Sequence, residues 1–195
     1  MKNLLTLNHD GRLALRSGGV ETVLESCRTR NVLLLVDTSG SMSGDKIEQA
    51  KRGAAGFALS AQEKGYATGL AVFADRAAMI TDPTDAASLI RNIHGLRTGF
   101  VGGSTYLANG LVLANKFPDL SAVVIITDGA ANDPRQALAA VQPLKARGIE
   151  ILCIGTDDAD QDFLAQLATR SDLAQHVTQD QMASAIADVS RLLEA

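Results

Sequence analysis

Tryptophan is missing from this chain of 195 residues, aromatic side chains make up only 4% of it, and cysteine occurs twice, as Cys27 and Cys153. Cys153 lies in the apolar run 149–155 and reads as a small buried thiol rather than half of a disulfide. The three histidines, His9, His94 and His176, fall in no metal-ligand spacing and read as surface or packing residues. Excess positive charge is also lacking: 18 Lys+Arg stand against 22 Asp+Glu, a formal net charge of -4. Without a basic block or an aromatic-interleaved cationic stripe, nucleic acid is not expected as a partner. No stretch approaches the roughly 18 consecutive apolar residues of a membrane span. Residues 1–10 are too brief and too polar for the apolar core of a secretory leader. The expectations are no membrane association and a cytoplasmic location.

Apolar patterning, by contrast, is plentiful. A hydrophobic content of 46% is enough, at this length, for one substantial core. Four runs, 31–36, 67–74, 121–127 and 149–154, are almost continuously apolar, as strands covered on both faces are. Between and after them, segments 44–64, 85–93, 105–115, 134–147, 161–169 and 179–193 carry apolar residues at helical steps. In the first of these Ile47, Ala50, Ala54, Phe57, Ala58 and Ala61 share a face, and Gly65 supplies a stop signal. Asp133-Pro134 reads as an N-cap followed by proline at the first helical position. The alternation predicts an α/β fold: a doubly wound, mostly parallel central sheet flanked by helices on both faces. Residues 77–81 are expected to add one short antiparallel edge strand, and 174–177 a short last strand.

The first thirty residues break the pattern. Leu4 to Leu7 and Arg12 to Leu15 flank Asn8-His9-Asp10-Gly11 and predict a hairpin, and Val20 to Cys27 predicts a short helix. Residues 1–30 are therefore expected to be an N-terminal extension packed on a domain of residues 31–195.

Chemistry concentrates at the strand ends. The apolar run from Val32 ends in Asp37-Thr38-Ser39-Gly40-Ser41-Met42, so Asp37, Ser39 and Ser41 place three hard oxygen donors in one tight turn. That is the start of a divalent-cation site. In a parallel sheet ligands gather at the carboxyl ends of the strands, where the strand order reverses. Two further segments reach that edge: the flexible Gly102-Gly103-Ser104-Thr105, and Thr127-Asp128-Gly129 at the end of a buried run.

Together these three segments resemble the von Willebrand factor A domain family and its metal-ion-dependent adhesion site, in its bacterial intracellular form. Lys46-Ile47-Glu48-Gln49-Ala50-Lys51, Val72-Phe73-Ala74-Asp75 and Gly148-Ile149-Glu150-Ile151 extend the resemblance over about residues 31 to 193. The resemblance implies a Rossmann-like fold and a metal set of Asp37, Ser39, Ser41, Thr105 and Asp128. In it Ser39, Ser41 and Thr105 coordinate directly, and the two carboxylates act mostly through water or hydrogen bonds. The implied cation is Mg²⁺, with Mn²⁺ or Ca²⁺ as alternatives. Neutral hydroxyls leave much of its charge uncompensated, which favours an Asp or Glu from a partner protein at the remaining position. An AAA+ ATPase or a signalling or stress-response protein fits that role. The resemblance also implies that the loop bearing Gly99, Gly102 and Gly103 can move. No catalytic residue is expected.

Blander and rival readings bear on the same residues. Asp37, Ser39 and Ser41 alone also describe a Ser turn leading into a helix cap, and Asp157, Asp158 and Asp160 read as a solvated turn and cap. Ser104 competes with Thr105 for the third hydroxyl, with Leu107, Gly110 and Leu111 favouring Thr105. A metal-dependent phosphohydrolase would need a general base near Asp37 or Asp128, and an aspartyl-phosphate enzyme a carboxylate where Ser39 stands. Gly40 to Lys46 lacks the Gly-Lys-Ser/Thr of a phosphate loop. A metal-independent scaffold module is the other alternative. Phe100 and Tyr106, in a chain poor in aromatics, are candidates for a binding rim.

Overall fold

The computed structural model describes residues 4–7, 13–17, 20–23, 30–156 and 159–193. Three short strands come first, β1 (Leu4–Leu7), β2 (Leu13–Ser17) and β3 (Val20–Val23), in an antiparallel sheet of that order. β1 and β2 make the expected hairpin pair, with Leu4 opposite Arg16 and Leu7 opposite Leu13. The helix expected over Val20–Cys27 is corrected. Val20–Val23 is a strand, with Val20 opposite Ser17. Two valines and a threonine among four residues favour extended backbone over helix. Residues 24–27 lie outside the described part of the chain.

The remaining elements alternate. They are β4 (Arg30–Asp37), α1 (Asp45–Glu63), β5 (Tyr66–Phe73), β6 (Ala77–Thr84), α2 (Ala86–Ile93) and α3 (Leu107–Ala114). There follow β7 (Leu120–Thr127), α4 (Pro134–Ala146), β8 (Glu150–Thr156), α5 (Gln161–Leu167), β9 (Ala174–Val177) and α6 (Met182–Val189). Six strands form one sheet in the order β6-β5-β4-β7-β8-β9. Every neighbouring pair is parallel except β5 with β6. This is the doubly wound, mostly parallel sheet that the apolar runs imply.

Two elements differ most from expectation in extent, while α3 and α5 are each shorter by two or three residues than the expected 105–115 and 161–169. β6 runs on to Thr84, through Asp82 and Pro83, and its pairing with β5 shifts register on both sides of Leu70. Only an edge strand tolerates a proline and such irregularity, and neither leaves a periodic trace in sequence. The last helical segment is broken into a 3₁₀ turn at Gln179–Gln181, α6, and a second turn at Ser190–Leu192. Thr178 and Gln181 form a capping box that fixes the entry to it.

Val32 to Val36 of β4 are wholly buried, as central strands covered on both faces must be. α1 lies against α2 and α6, while α3, α4 and α5 pack in succession. Close approach is purchased with glycine at the crossings. A Cβ on Gly53 of α1 would stand 2.6 Å from Ile186 Cβ of α6, and one on Gly110 of α3 would stand 2.9 Å from Leu35 Cδ1 of β4. Cys153 is a buried free thiol in β8, and burial pushes it up to about 12, where it is chemically inert.

The strand order positions the site. From β4 the chain crosses to β5 on one side, and β7 pairs with β4 on the other. The carboxyl ends of β4 and β7 therefore flank the point where the winding reverses, and the connections that leave them diverge to open a crevice.

Candidate metal centre

Asp37 is the last residue of β4 and is wholly buried. The chain turns sharply after it: the Ser39 amide donates to Asp37 Oδ1 at 2.8 Å, and Thr38 is pinned to β5 by its amide on the Phe73 carbonyl at 2.9 Å. A single turn of 3₁₀ helix, Gly40–Met42, then places the Ser41 hydroxyl 3.1 Å from that of Ser39. Met42 is buried and anchors this turn in the core.

From β7, Thr127 donates its hydroxyl to Asp37 Oδ2 at 2.7 Å. The next residue, Asp128, accepts the Ser41 hydroxyl on Oδ1 at 2.8 Å. Asp37, Ser39, Ser41 and Asp128 thus form one connected group. On the other oxygen of Asp128 lies the ammonium of Lys46, from the first turn of α1, at 2.5 Å.

Thr105 joins through its backbone. The Gly40 amide donates to the Gly103 carbonyl at 3.0 Å, and the Gly99 amide to the Thr38 carbonyl at 2.8 Å, tying the glycine-rich loop to the turn after β4. Asn132 clamps Thr105 on both sides. Its Oδ1 accepts the Thr105 amide at 2.7 Å, and its own amide donates to the Thr105 carbonyl at 2.8 Å. Thr105 is 7% exposed. Ser104 is otherwise engaged: its amide donates to Asp75 Oδ1 at 2.9 Å, and its hydroxyl also binds that carboxylate. This leaves Thr105 as the hydroxyl available on this loop.

Asp75 and Asp133 set the loop's two ends. Asp75 accepts the amides of Gly103 and Ser104, and these bonds hold its carboxyl below the usual range. Gly102 has φ 124 and lies so close to Asp75 that a Cβ would fall 2.3 Å from its Cγ, so only glycine fits. Gly99 also has positive φ, whereas Gly103 does not. Asp133 precedes α4 but caps α3 instead, accepting the Leu107 and Ala108 amides at 3.1 and 3.0 Å. The expected cap of α4 by this side chain is thus corrected, because proline at the first helical position leaves one donor fewer to satisfy there.

Burial dominates the electrostatics of Asp37. It raises the carboxyl from 3.8 to about 6, against the lowering effect of the Ser39 amide and the Thr127 hydroxyl, and the Asp128 charge raises it further. A carboxylate desolvated in this way is stabilised by a nearby cation. Among the described residues no three His, Cys, Asp or Glu side chains cluster as a metal cage. The donors here are instead hydroxyls backed by two carboxylates, a hard oxygen set suited to Mg²⁺, Mn²⁺ or Ca²⁺. The Lys46 ammonium on Asp128 Oδ2 compensates part of the negative charge of this group.

Other groups lie apart from it. His94 follows α2 and is exposed, and His176 is in β9. Asp160 caps α5 through the Phe163 amide at 3.0 Å, as expected; Asp157 and Asp158 lie outside the described residues. A cavity of about 520 Å³ opens at the opposite edge of the sheet, between Arg30, Tyr66, Ser121, Lys145 and Thr169. Phe100 and Tyr106 are 65% and 41% exposed on the loop that carries Thr105.

Lys46, Thr127, Asp75, Asn132 and Asp133 escape sequence reasoning as functional residues. Lys46 looks like one more charge on the polar face of an amphipathic helix. Asn132-Asp133 shows only that a helix is about to start.

The family model for the von Willebrand factor type A domain matches residues 31–192. The chain belongs to that family. Solved structures share the fold at low identity. Proximal thread matrix protein 1 from the mussel byssus, with a zinc-occupied MIDAS motif, is 20% identical with a TM-score of 0.70, over 85% of this chain and 46% of that one. The present chain thus spans about half the length of the mussel protein. The vWF domain of the type V pili tip protein Mfa5 from Porphyromonas gingivalis is 15% identical with a TM-score of 0.72, over 83% and 94% of the two chains. Manganese-loaded TRAP protein from Plasmodium vivax is 17% identical with a TM-score of 0.66, over 84% and 74%. No curated protein matches the chain significantly. The von Willebrand factor A domain is a metal-binding, protein-interaction module in the proteins that share it, and the doubly wound fold is common to all of these structures.

Proposed function

We propose that this domain binds one divalent cation through Ser39, Ser41 and Thr105, with Asp37 and Asp128 behind them, and uses it to dock an acidic side chain of a partner protein. The observation that carries this reading is the hydrogen-bonded group Asp37–Ser39–Ser41–Asp128 at the winding reversal, with Thr105 strapped beside it. Three neutral hydroxyls would neutralise none of the charge of Mg²⁺, and a cation so held would attract a carboxylate strongly. Mn²⁺ or Ca²⁺ would fit the same oxygen donors. The mussel and Plasmodium structures, whose names record zinc and manganese, support a divalent ion in this fold.

The reading is non-catalytic. Both oxygens of Asp37 are engaged by Ser39 and Thr127, and both oxygens of Asp128 by Ser41 and Lys46. These bonds give both carboxylates a positioning role, which the non-catalytic reading accounts for. Exposed Phe100 and Tyr106 would give the partner an apolar footing beside the charge. The partner is a protein offering Asp or Glu, of the AAA+ ATPase, signalling or stress-response kind, and a cytoplasmic setting remains part of the proposal.

Affinity capture from a native lysate in Mg²⁺, in EDTA, and with Asp37→Ala tests it. A protein retained only by the unaltered chain in Mg²⁺ supports docking through the metal. Identical retention under all three conditions would move the docking surface elsewhere and favour the metal-independent scaffold.

A further inference from the structure

We infer that Lys46 is a built-in counter-ion of the metal-free site: its ammonium holds Asp128 until a dication arrives, and so sets how tightly the site binds metal. The inference rests on the cation-site reading above and concerns a residue outside the five candidate ligands.

The geometry is specific. Asp128 is wholly buried on its side chain, while the Lys46 side chain keeps 21% exposure, so the pair joins a desolvated carboxylate to a cation that still reaches water. Asp128 divides its oxygens, taking the Ser41 hydroxyl on Oδ1 and the Lys46 ammonium on Oδ2. Through Ser41 the chain of bonds runs on to Ser39, a direct ligand in the proposed site. Lys46 is placed by the first turn of α1, which begins only three residues after Met42, so its position is fixed by the same turn that positions the two serines.

Two consequences of opposite sign follow from elementary electrostatics. Without metal, the ammonium compensates a buried carboxylate that would otherwise stand among Asp37 and the hydroxyl dipoles, and it keeps the group assembled. With metal, a dication entering beside Ser39 and Ser41 is repelled by the same ammonium, or must displace it from Oδ2. Lys46 therefore stabilises the empty site at the expense of the filled one. A ligand that binds one of two forms is weakened by whatever stabilises the other.

The test is calorimetric titration of the chelator-treated full chain with MgCl₂, with melting in EDTA and in saturating Mg²⁺ as a second readout. Lys46→Met removes the charge, Lys46→Gln keeps a donor without charge, and Lys46→Arg keeps the charge. Lys46→Met and Lys46→Gln are expected to bind Mg²⁺ about tenfold more tightly than the unaltered chain. Lys46→Arg should stay within about threefold of it. In EDTA the two uncharged variants should melt about 5 °C lower, with the difference narrowed by Mg²⁺. Equal or weaker Mg²⁺ binding by both uncharged variants, with the unaltered chain binding, would overturn the counter-ion role and leave the metal site standing. Absence of Mg²⁺ binding by every form would overturn the metal reading itself. If the variants are too unstable in EDTA to titrate, while folded in Mg²⁺, the first consequence is confirmed by that loss.

Discussion

Thr127 donates its hydroxyl to Asp37 Oδ2 across 2.7 Å, joining the ends of two neighbouring parallel strands at the point where the winding of the sheet reverses. This bond fixes one carboxylate oxygen, the Ser39 amide fixes the other, and the serine hydroxyls are thereby aimed at a common volume. The proposed cation site is thus assembled by hydrogen bonds of the fold itself.

Such preassembly is costly at Asp37. Its carboxyl titrates at about 6 in the folded chain against an ordinary 3.8, mainly because it is buried. Between those values the folded state holds more protons than the unfolded one, so stability falls as pH rises from about 4 to above 6. The fall amounts to roughly 3 kcal/mol when complete. Asp37→Asn removes the titrating charge while keeping the shape, and should flatten this part of the pH–stability curve in EDTA. Urea unfolding between pH 4 and pH 8 reads the difference directly.

Asp75 acts on Thr105 without touching it. Its carboxylate receives the Gly103 and Ser104 amides from an exposed position, so little global stability rests on it. Asp75→Ala should leave the melting temperature nearly unchanged and weaken Mg²⁺ binding by about tenfold, because the loop bearing the proposed ligand Thr105 is loosened. Calorimetric titration beside thermal melting separates the two effects. An equal loss in both would show that the residue is merely structural.

Asp133 should behave in the opposite way. Removing it uncaps α3 at Leu107 and Ala108, which costs about 1–2 kcal/mol. In Asp133→Ala, hydrogen exchange should speed up at those two amides rather than in the first turn of α4.

Gly53 tests the packing that supports the first helix. A methyl group there meets Ile186 Cβ at 2.6 Å and the Ala183 carbonyl at 2.9 Å. Backbone cannot yield as a side-chain tip does, so Gly53→Ala should destabilise the chain by about 1–3 kcal/mol in denaturant titration.

The legible parts of this molecule are those with a one-dimensional signature. Val32 to Val36, Val123 to Ile126 and Ile151 to Ile154 announce covered strands because both faces are apolar, and Asp37, Ser39 and Ser41 stand within five residues of one another. Thr105 and Asp128 were legible as candidates because their motifs accompany that first segment in order. Val20–Val23 reads as helix in sequence because four residues carry too little periodicity to arbitrate, and the outer part of β6 has no sequence signature because an edge strand with Asp82 and Pro83 carries no apolar run. Lys46, Asp75, Asn132 and Asp133 act across 25 to 82 residues of sequence separation through no more than a few hydrogen bonds each. No local pattern encodes such pairings.

Crystallography of the chain grown in Mn²⁺, with anomalous differences collected to locate the ion, tests most directly the proposal that Ser39, Ser41 and Thr105 hold a dication. One peak is expected about 2.2 Å from the Ser39 and Ser41 hydroxyl oxygens, beside Thr105 and lost in Asp37→Ala. A Mn²⁺-saturated crystal with no peak among these residues, or with its peak elsewhere on the chain, would contradict it.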